Sequence, residues 1–246
     1  MTRIVNNCVA LVCLCLFWGQ SLRAADASHS EQIKWGNESV FNEEHNTLGL
    51  FSGVLGGQIV LAGGTSDDYS RWGRNAVCLS ENAGFALYED VLSKPLAYGA
   101  SITLSDGILC IGGRDSSQCY EDVFFVTMQQ GKLNVSEDWP PLPFPLSNAA
   151  GALLDNKVYL FGGRKSVSPS RLSDSFFVLD LSNKSRGWKE LPGYPGCVRE
   201  DAILVVQNNG VSPCLYLLGG QTETEEGLSS CLTDGYVYNP QLGKWS

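Results

Sequence analysis

The sequence predicts an all-β protein assembled from repeated four-stranded blades, and three observations carry that prediction. A short apolar run that stops at a glycine pair occurs four times, as Gln58–Gly64, Gly107–Gly113, Lys157–Gly163 and Cys214–Gly220. The first glycines of successive pairs lie 49, 50 and 57 residues apart. The segments between them are short runs of apolar and aromatic residues broken by Gly, Asp and Asn, which is strand and turn chemistry with no helical unit.

A strand-built repeat of about 50 residues is the period of a kelch-type β-propeller blade. The first blade is expected to start at Leu48, with strands over Leu48–Leu55, Ile59–Ala62, Ala76–Leu79 and Phe85–Tyr88. Gly56-Gly57 makes its first turn, and the polar stretch from Thr65 to Asn75 is a loop. The second blade runs from Tyr98–Leu104 through the turn Ser105-Asp106-Gly107 to its glycine pair. After the loop Arg114–Tyr120, the apolar run Val123–Val126 reads as a well-buried strand.

The third blade repeats this order with Asn148–Leu154, the turn Asp155-Asn156, Val158–Phe161, the loop Arg164–Ser173 and Ser175–Leu179. The fourth has Ala202–Val206, a longer turn Gln207–Pro213, Leu215–Leu218, an acidic loop Thr222–Gly227 and Gly235–Tyr238. Trp139, Trp188 and Trp245 read as equivalent outer-strand positions, and the first two are followed three residues later by Leu-Pro links. Four blades are thus present. Kelch rings are usually larger, so the expectation is a six-bladed ring with roughly two blades, about 100 residues, beyond Ser246.

Residues 1–27 read as a secretory signal: Arg3 opens a weakly basic start, Val9–Trp18 is apolar but too short to span a bilayer, and Ala24, Ala25 and Ala27 supply small residues for cleavage. Residues 28–47 read as a lead-in or an outer strand that closes the ring, and 48–246 as the propeller. The chain carries 17 basic and 26 acidic side chains, a formal charge of -9. That balance excludes a phosphate backbone or an anionic membrane surface as the main partner. A small anion remains compatible, because a few arginines in a pocket reverse the local potential. Nothing in the sequence fixes an oligomeric state.

Six cysteines remain after the signal, enough for fifteen disulfide connectivities, among which the sequence does not choose. Cys110 lies in an apolar strand and reads as a buried free thiol. No C-x-x-C spacing occurs, and the only histidines are His29 and His45. No cofactor and no metal are therefore expected.

Function in a propeller is expected in the loops at the mouth of the central channel, since the strands are occupied by packing. Two sets of residues fall there by register. One follows the glycine pairs and includes Arg114 and Arg164; the other opens the inner strands, where aligning Ala100, Ala150 and Ala202 makes Tyr98, Asn148 and Glu200 equivalent, with Arg199 beside Glu200. Hydroxyl, amide, carboxylate and guanidinium groups in one ring suit a polyhydroxylated ligand that carries a carboxylate.

Through Lys94–Ser101, Gly107–Gly113, Tyr120–Phe124 and Pro141–Ala152, and at the front through Gly53-Val54 to Gly63-Gly64, the chain resembles the cyclically permuted mutarotase family. This is a kelch-type group related to N-acetylneuraminate epimerase, and the resemblance covers about residues 50–246. It implies an exported isomerase that interconverts the α and β anomers of N-acetylneuraminate, a small sugar acid. The family assigns its chemistry to a Glu and an Arg in a Gly-Glu, Pro-Gly, Arg-Thr type segment of a late blade. No such segment is found here, and its place is expected beyond Ser246, so no catalytic residue is assigned. The loop Thr65–Trp72 also lacks the Asn-Phe-Pro pattern associated with the family. The alternative is a non-enzymatic kelch propeller that binds a protein or a glycan.

Overall fold

A computed structural model of the chain describes residues 48–80, 84–224 and 227–246. The segments read as signal and lead-in, and residues 225–226 of the acidic loop, lie outside the described residues. Blade 1 is β1 (Phe51–Leu55), β2 (Gln58–Ala62), β3 (Ala76–Ser80) and β4 (Gly84–Tyr88). Blade 2 is β5 (Ala100–Thr103), β6 (Ile108–Ile111), β7 (Val123–Gln129) and β8 (Lys132–Ser136). Both are antiparallel meanders in sequence order.

Blade 3 begins with β9 (Ala150–Leu154) and β10 (Lys157–Phe161), inserts a hairpin of β11 (Arg164–Ser166) and β12 (Arg171–Leu172), and ends with β13 (Phe176–Asp180) and β14 (Lys189–Glu190). Blade 4 follows the same plan with β15 (Ile203–Asn208), β16 (Pro213–Leu218), the hairpin β17 (Gln221–Glu223) and β18 (Ser229–Cys231), then β19 (Gly235–Asn239) and β20 (Lys244–Trp245). The chain is thus all-β, with four blades in a propeller arrangement. The first inserted hairpin arises within the segment Arg164–Ser173 that the sequence reads as a loop, whereas the second overlaps the acidic loop Thr222–Gly227 with its first strand and places its second strand beyond it.

The core is divided among the joints between blades. Phe51, Leu55 and Val60 of blade 1 pack with Ile108, Cys110, Phe124 and Val126 of blade 2. Ala100, Ile102, Leu109 and Ile111 of blade 2 pack with Val158, Leu160, Phe177 and Leu179 of blade 3. Ala150, Phe161 and Phe176 of blade 3 pack with Leu204, Leu215, Leu217 and Tyr238 of blade 4. Both faces of blades 2 and 3 are covered. This is why β6 is buried at every position and its sequence reads as a continuous apolar run, not as an alternation.

The glycine pairs fasten each blade to the next. The N–H groups of Gly64, Gly113 and Gly163 donate to the carbonyls of Leu96, Leu146 and Arg199, each at 2.8 Å, on the segments that lead into the following inner strands. A Cβ on Gly112 would sit 2.2 Å from the Leu146 oxygen, and the residue has φ +62°, so both space and backbone require glycine. The fourth pair differs: a Cβ on Gly219 would come no closer than 3.3 Å, to Leu232 of its own blade.

One expectation changes. Trp139 follows β8 instead of lying in the fourth strand, while Trp188 directly precedes β14 and Trp245 lies in β20. The reason is that Trp139 packs on Phe125, with ring centroids 5.2 Å apart, and its segment then accepts a hydrogen bond from Trp188 Nε1 at Pro140 (3.0 Å), which joins the two tryptophan-bearing links. The six described cysteines are free, and Cys110 is buried. No helix among the described residues is long and apolar enough to cross a membrane.

Candidate functional site

Each inner strand is entered through a bridge residue paired with the residue just after a glycine pair. The four bridges are Leu48 with Thr65, Ala97 with Arg114, Ser147 with Arg164, and Glu200 with Gln221. The residue after each bridge has positive φ: Gly49 at 64°, Tyr98 at 60°, Asn148 at 55° and Asp201 at 53°. These four join successive blades, because Tyr98 N–H donates to the Gly49 carbonyl (2.7 Å), Asn148 N–H to Tyr98 (2.6 Å) and Asp201 N–H to Asn148 (3.0 Å). Their side chains therefore share one mouth at the inner edge of the blades.

This ladder corrects the alignment of the fourth blade by one residue. Asp201, not Glu200, is the equivalent of Tyr98 and Asn148. Strand pairing gives the cause: Ile203 faces Leu218 across blade 4 as Ala150 faces Phe161 across blade 3, so Ala202 stands one place outside the alanine register. Gly, Asn and Asp tolerate this backbone region readily. Tyr98 does so at a cost in strain, of the kind that collects at functional sites. Gly49 leaves room for the Tyr98 ring, since a Cβ there would lie 2.8 Å from its Cγ.

Arg114 lies over two of the mouth's aromatic rings, with its guanidinium carbon 4.7 Å from the Tyr98 centroid and 5.1 Å from that of Trp72. Its hydrogen bond to the Asp115 carbonyl is long, at 3.5 Å. Trp72 is steadied by its own Nε1 bond to the Tyr69 carbonyl (3.1 Å) and meets Tyr98 edge to face. Burial pushes the Tyr98 phenol well above its usual range and the Tyr69 side chain adds to this, against the pull of Arg114. Tyr98 is thus a neutral hydroxyl at physiological pH. Next to Arg114, desolvation would raise the Asp115 carboxyl, but bonds from the Tyr120 hydroxyl and the Ser117 and Gln118 amides hold it at about 2.

Arg164 stands at the same station in blade 3 and is engaged by carboxylates. Its Nε donates to Glu200 at 2.9 Å, Nη2 reaches the other Glu200 oxygen and also Glu223 (3.1 Å), and Nη1 donates to Ser170. The Glu200 bonds push its pKa above the usual arginine range. Arg199 does not open onto the mouth: it is fully buried. It donates to the Tyr194 hydroxyl (2.8 Å), to the Gly219 carbonyl (2.9 Å) and to both Asp234 oxygens (2.7 and 2.9 Å). Its place is a brace between the third link and the fourth blade.

Asn148 donates its side-chain amide to Asp201 Oδ1 at 2.9 Å, while its own Oδ1 is buried with no hydrogen-bond partner among the described residues. Although Asp201 is exposed as a residue, desolvation at the mouth raises its carboxyl pKa, opposed by the Asn148 bond and reinforced by Glu200. The fold therefore gathers Tyr98, Arg114, Asn148, Arg164 and Glu200 and sets Arg199 apart. Sequence reasoning missed Asp201, Trp72 and Tyr69. The run of residue types that tolerate positive φ was the signal available for Asp201. Trp72 had none, because it comes to Arg114 from a loop of another blade.

No group of three potential metal ligands occurs among the described residues. Two grooves of about 230 and 610 Å³ lie elsewhere, the larger lined by Leu104, Phe125, Trp139, Leu153 and Lys184 on blades 2 and 3 and the segments that follow them.

Residues 139–246, which hold blades 3 and 4, match the family model described as N-acetylneuraminate epimerase. The chain is 30% identical over 112 residues to the N-acetylneuraminate epimerase of Yersinia pestis (strain Pestoides F), across 45% of this chain and 26% of that protein. It is 31% identical over 110 residues to the protein of the same name from Haemophilus influenzae (strain PittEE), again across 45% and 26%. A "Kelch domain-containing protein" of Vibrio cholerae serotype O1 is 32% identical over 107 residues, across 43% of this chain and 27% of the other. The matched stretch thus spans about a quarter of the length of these relatives. The solved structure titled "Structure of YjhT" superposes with a TM-score of 0.62 at 13% identity, over 80% of this chain and 68% of the other, a likeness of fold. With the four-bladed architecture, these matches make the chain a kelch-type β-propeller related to the N-acetylneuraminate epimerase family.

Proposed function

We propose that the mouth binds a sugar acid and that the protein, exported from the cytoplasm, interconverts the α and β anomers of N-acetylneuraminate. The observation that carries this reading is Arg114, a cation at the mouth held by aromatic faces and, among the described residues, by no carboxylate. A guanidinium in that state can take a ligand carboxylate bidentately. The Trp72 and Tyr98 rings offer flat apolar faces to a sugar ring, and the neutral Tyr98 hydroxyl with the Asn148–Asp201 pair offers donors and acceptors to its hydroxyls. The family match supports the choice of N-acetylneuraminate among sugar acids. Export rests on the apolar run Val9–Trp18 followed by Ala24, Ala25 and Ala27.

Mutarotation of this sugar passes through its open-chain keto acid, so the site must anchor the carboxylate, accept the proton of the anomeric hydroxyl and let the ring oxygen gain a proton as its bond to the anomeric carbon breaks. The test is the anomerisation rate of freshly released α-N-acetylneuraminate, followed by proton NMR with and without the protein. Faster equilibration supports the reading. Binding with an unchanged rate replaces it with a glycan-binding propeller, and neither binding nor acceleration overturns it.

A further inference from the structure

We propose that Asp201 is the base that accepts the proton of the anomeric hydroxyl during ring opening, and that Asn148 is the residue that positions it. The inference rests on the sugar-acid reading of the mouth and adds to it a residue and a direction of proton movement. Three observations carry it. Asp201 occupies the same positive-φ station as Tyr98, tied to that ring through Asn148 by two inter-blade backbone hydrogen bonds, so its side chain shares the mouth with the Arg114 cradle. Its carboxyl is engaged by the neutral amide of Asn148 (2.9 Å), whereas Glu200, one residue before it, has its oxygens bound to Arg164. Among the described residues, nothing hydrogen-bonds the buried Asn148 Oδ1.

That orphan oxygen has a chemical meaning. In the orientation observed, the amide donates to an ionised Asp201. Turned by half a revolution, it offers Oδ1 as an acceptor to a protonated Asp201, whose O–H would satisfy the oxygen. One side chain therefore serves both protonation states of the carboxyl, and it holds the ionised one more strongly because its bond is then to a charged acceptor. The charged groups that act on Asp201 are Glu200, Arg164 and Arg114. The two arginines favour its ionised form, and desolvation with Glu200 makes it more basic than a solvated carboxylate, closer to the pKa a general base needs near neutral pH.

The step balances within the sugar and solvent. Asp201 takes the proton from the anomeric hydroxyl as its oxygen forms the keto C=O bond, the bond from that carbon to the ring oxygen breaks, and the ring oxygen takes a proton from water. Closure on the other face of the carbonyl reverses each transfer and restores Asp201. Arg114 holds the adjacent carboxylate throughout.

The experiment compares wild type, Asp201→Asn and Asn148→Ala by NMR anomerisation of N-acetylneuraminate as a function of pH, with affinity read in the same samples by saturation transfer. Asn keeps the size of Asp201 and tolerates its backbone, so the fold is expected to hold. Asp201→Asn is expected to lose on the order of a hundredfold in the catalysed rate while its affinity changes less than about threefold. The wild-type rate should rise with pH through the titration of Asp201. In Asn148→Ala the midpoint of that rise should move upward, because the amide that stabilises the ionised carboxyl is gone; a purely structural role for Asn148 would lower the rate without moving the midpoint. Acceleration by Asp201→Asn equal to wild type overturns the assignment and leaves the sugar-acid reading standing. So does a loss of affinity that accounts for the whole loss of rate. A wild-type protein that binds without accelerating overturns the base, and one that does not bind overturns both.

Discussion

Arg114 and Arg164 occupy the same station in neighbouring blades, one residue past the glycine pair and bridged to a residue of the segment that leads into the next inner strand, yet their surroundings are opposite. Arg114 rests on the rings of Trp72 and Tyr98, and Arg164 is enclosed by Glu200, Glu223 and Ser170. The repeat decides where a side chain stands; the neighbouring blade decides what it is free to bind. A loop within the blade before Arg114's brings a tryptophan, whereas the blade after Arg164 brings two carboxylates. Arg199 extends the series to a cation buried entirely in structure.

If this ordering is right, the cost of removing each arginine should run opposite to its use in binding. Arg199→Met should be the most damaging, since it strands the Tyr194 hydroxyl, the Gly219 carbonyl and one side of Asp234. Asp234 is partly exposed and can rehydrate, so the loss should sit at the low end for a broken buried pair, about 3 kcal/mol by urea unfolding. The same pair predicts a pH dependence. Chiefly the bonds from Arg199 depress the folded-state pKa of Asp234 below 3.8, so its contribution is present above that pH and is lost as pH falls through the depressed value. Removing Arg199 should flatten this part of the acid-unfolding profile.

Arg164→Ala comes next, at about 1–2 kcal/mol, because it leaves Glu200 and Glu223 close together without their shared cation. A loss as small as that of Arg114→Ala would mean that the carboxylates at this station are already well hydrated, and the contrast between the two blades would fail. Arg114→Ala should be the mildest, within about 1 kcal/mol, the scale of its contacts with two half-buried rings.

The blades were legible in the sequence because their strands are buried on both faces and punctuated at a fixed period, as β6 and β10 illustrate. The glycine pairs were legible as close-packed turns, although their partner, the carbonyl that leads into the next blade, could not be read from one repeat alone. The candidate site was less legible. A single-residue offset hid Asp201 behind Glu200, since matching alanines in sequence is not matching partners across a strand. Arg199 sits next to mouth residues in the chain but turns inward to Asp234, a partner 35 residues away. Trp72 reaches Arg114 from a different blade, and no local pattern records such a contact.

The central claim is that the mouth takes a sugar carboxylate through Arg114. It is tested most directly by titrating N-acetylneuraminate into wild type, Arg114→Ala and Arg164→Ala and reading affinity by NMR. Loss of one charge-assisted bidentate contact should weaken binding by about tenfold or more in Arg114→Ala. Arg164→Ala, whose guanidinium is already held by Glu200 and Glu223, should bind within about threefold of wild type, once samples are confirmed folded. Wild-type affinity in Arg114→Ala, or a greater loss in Arg164→Ala, would contradict the account.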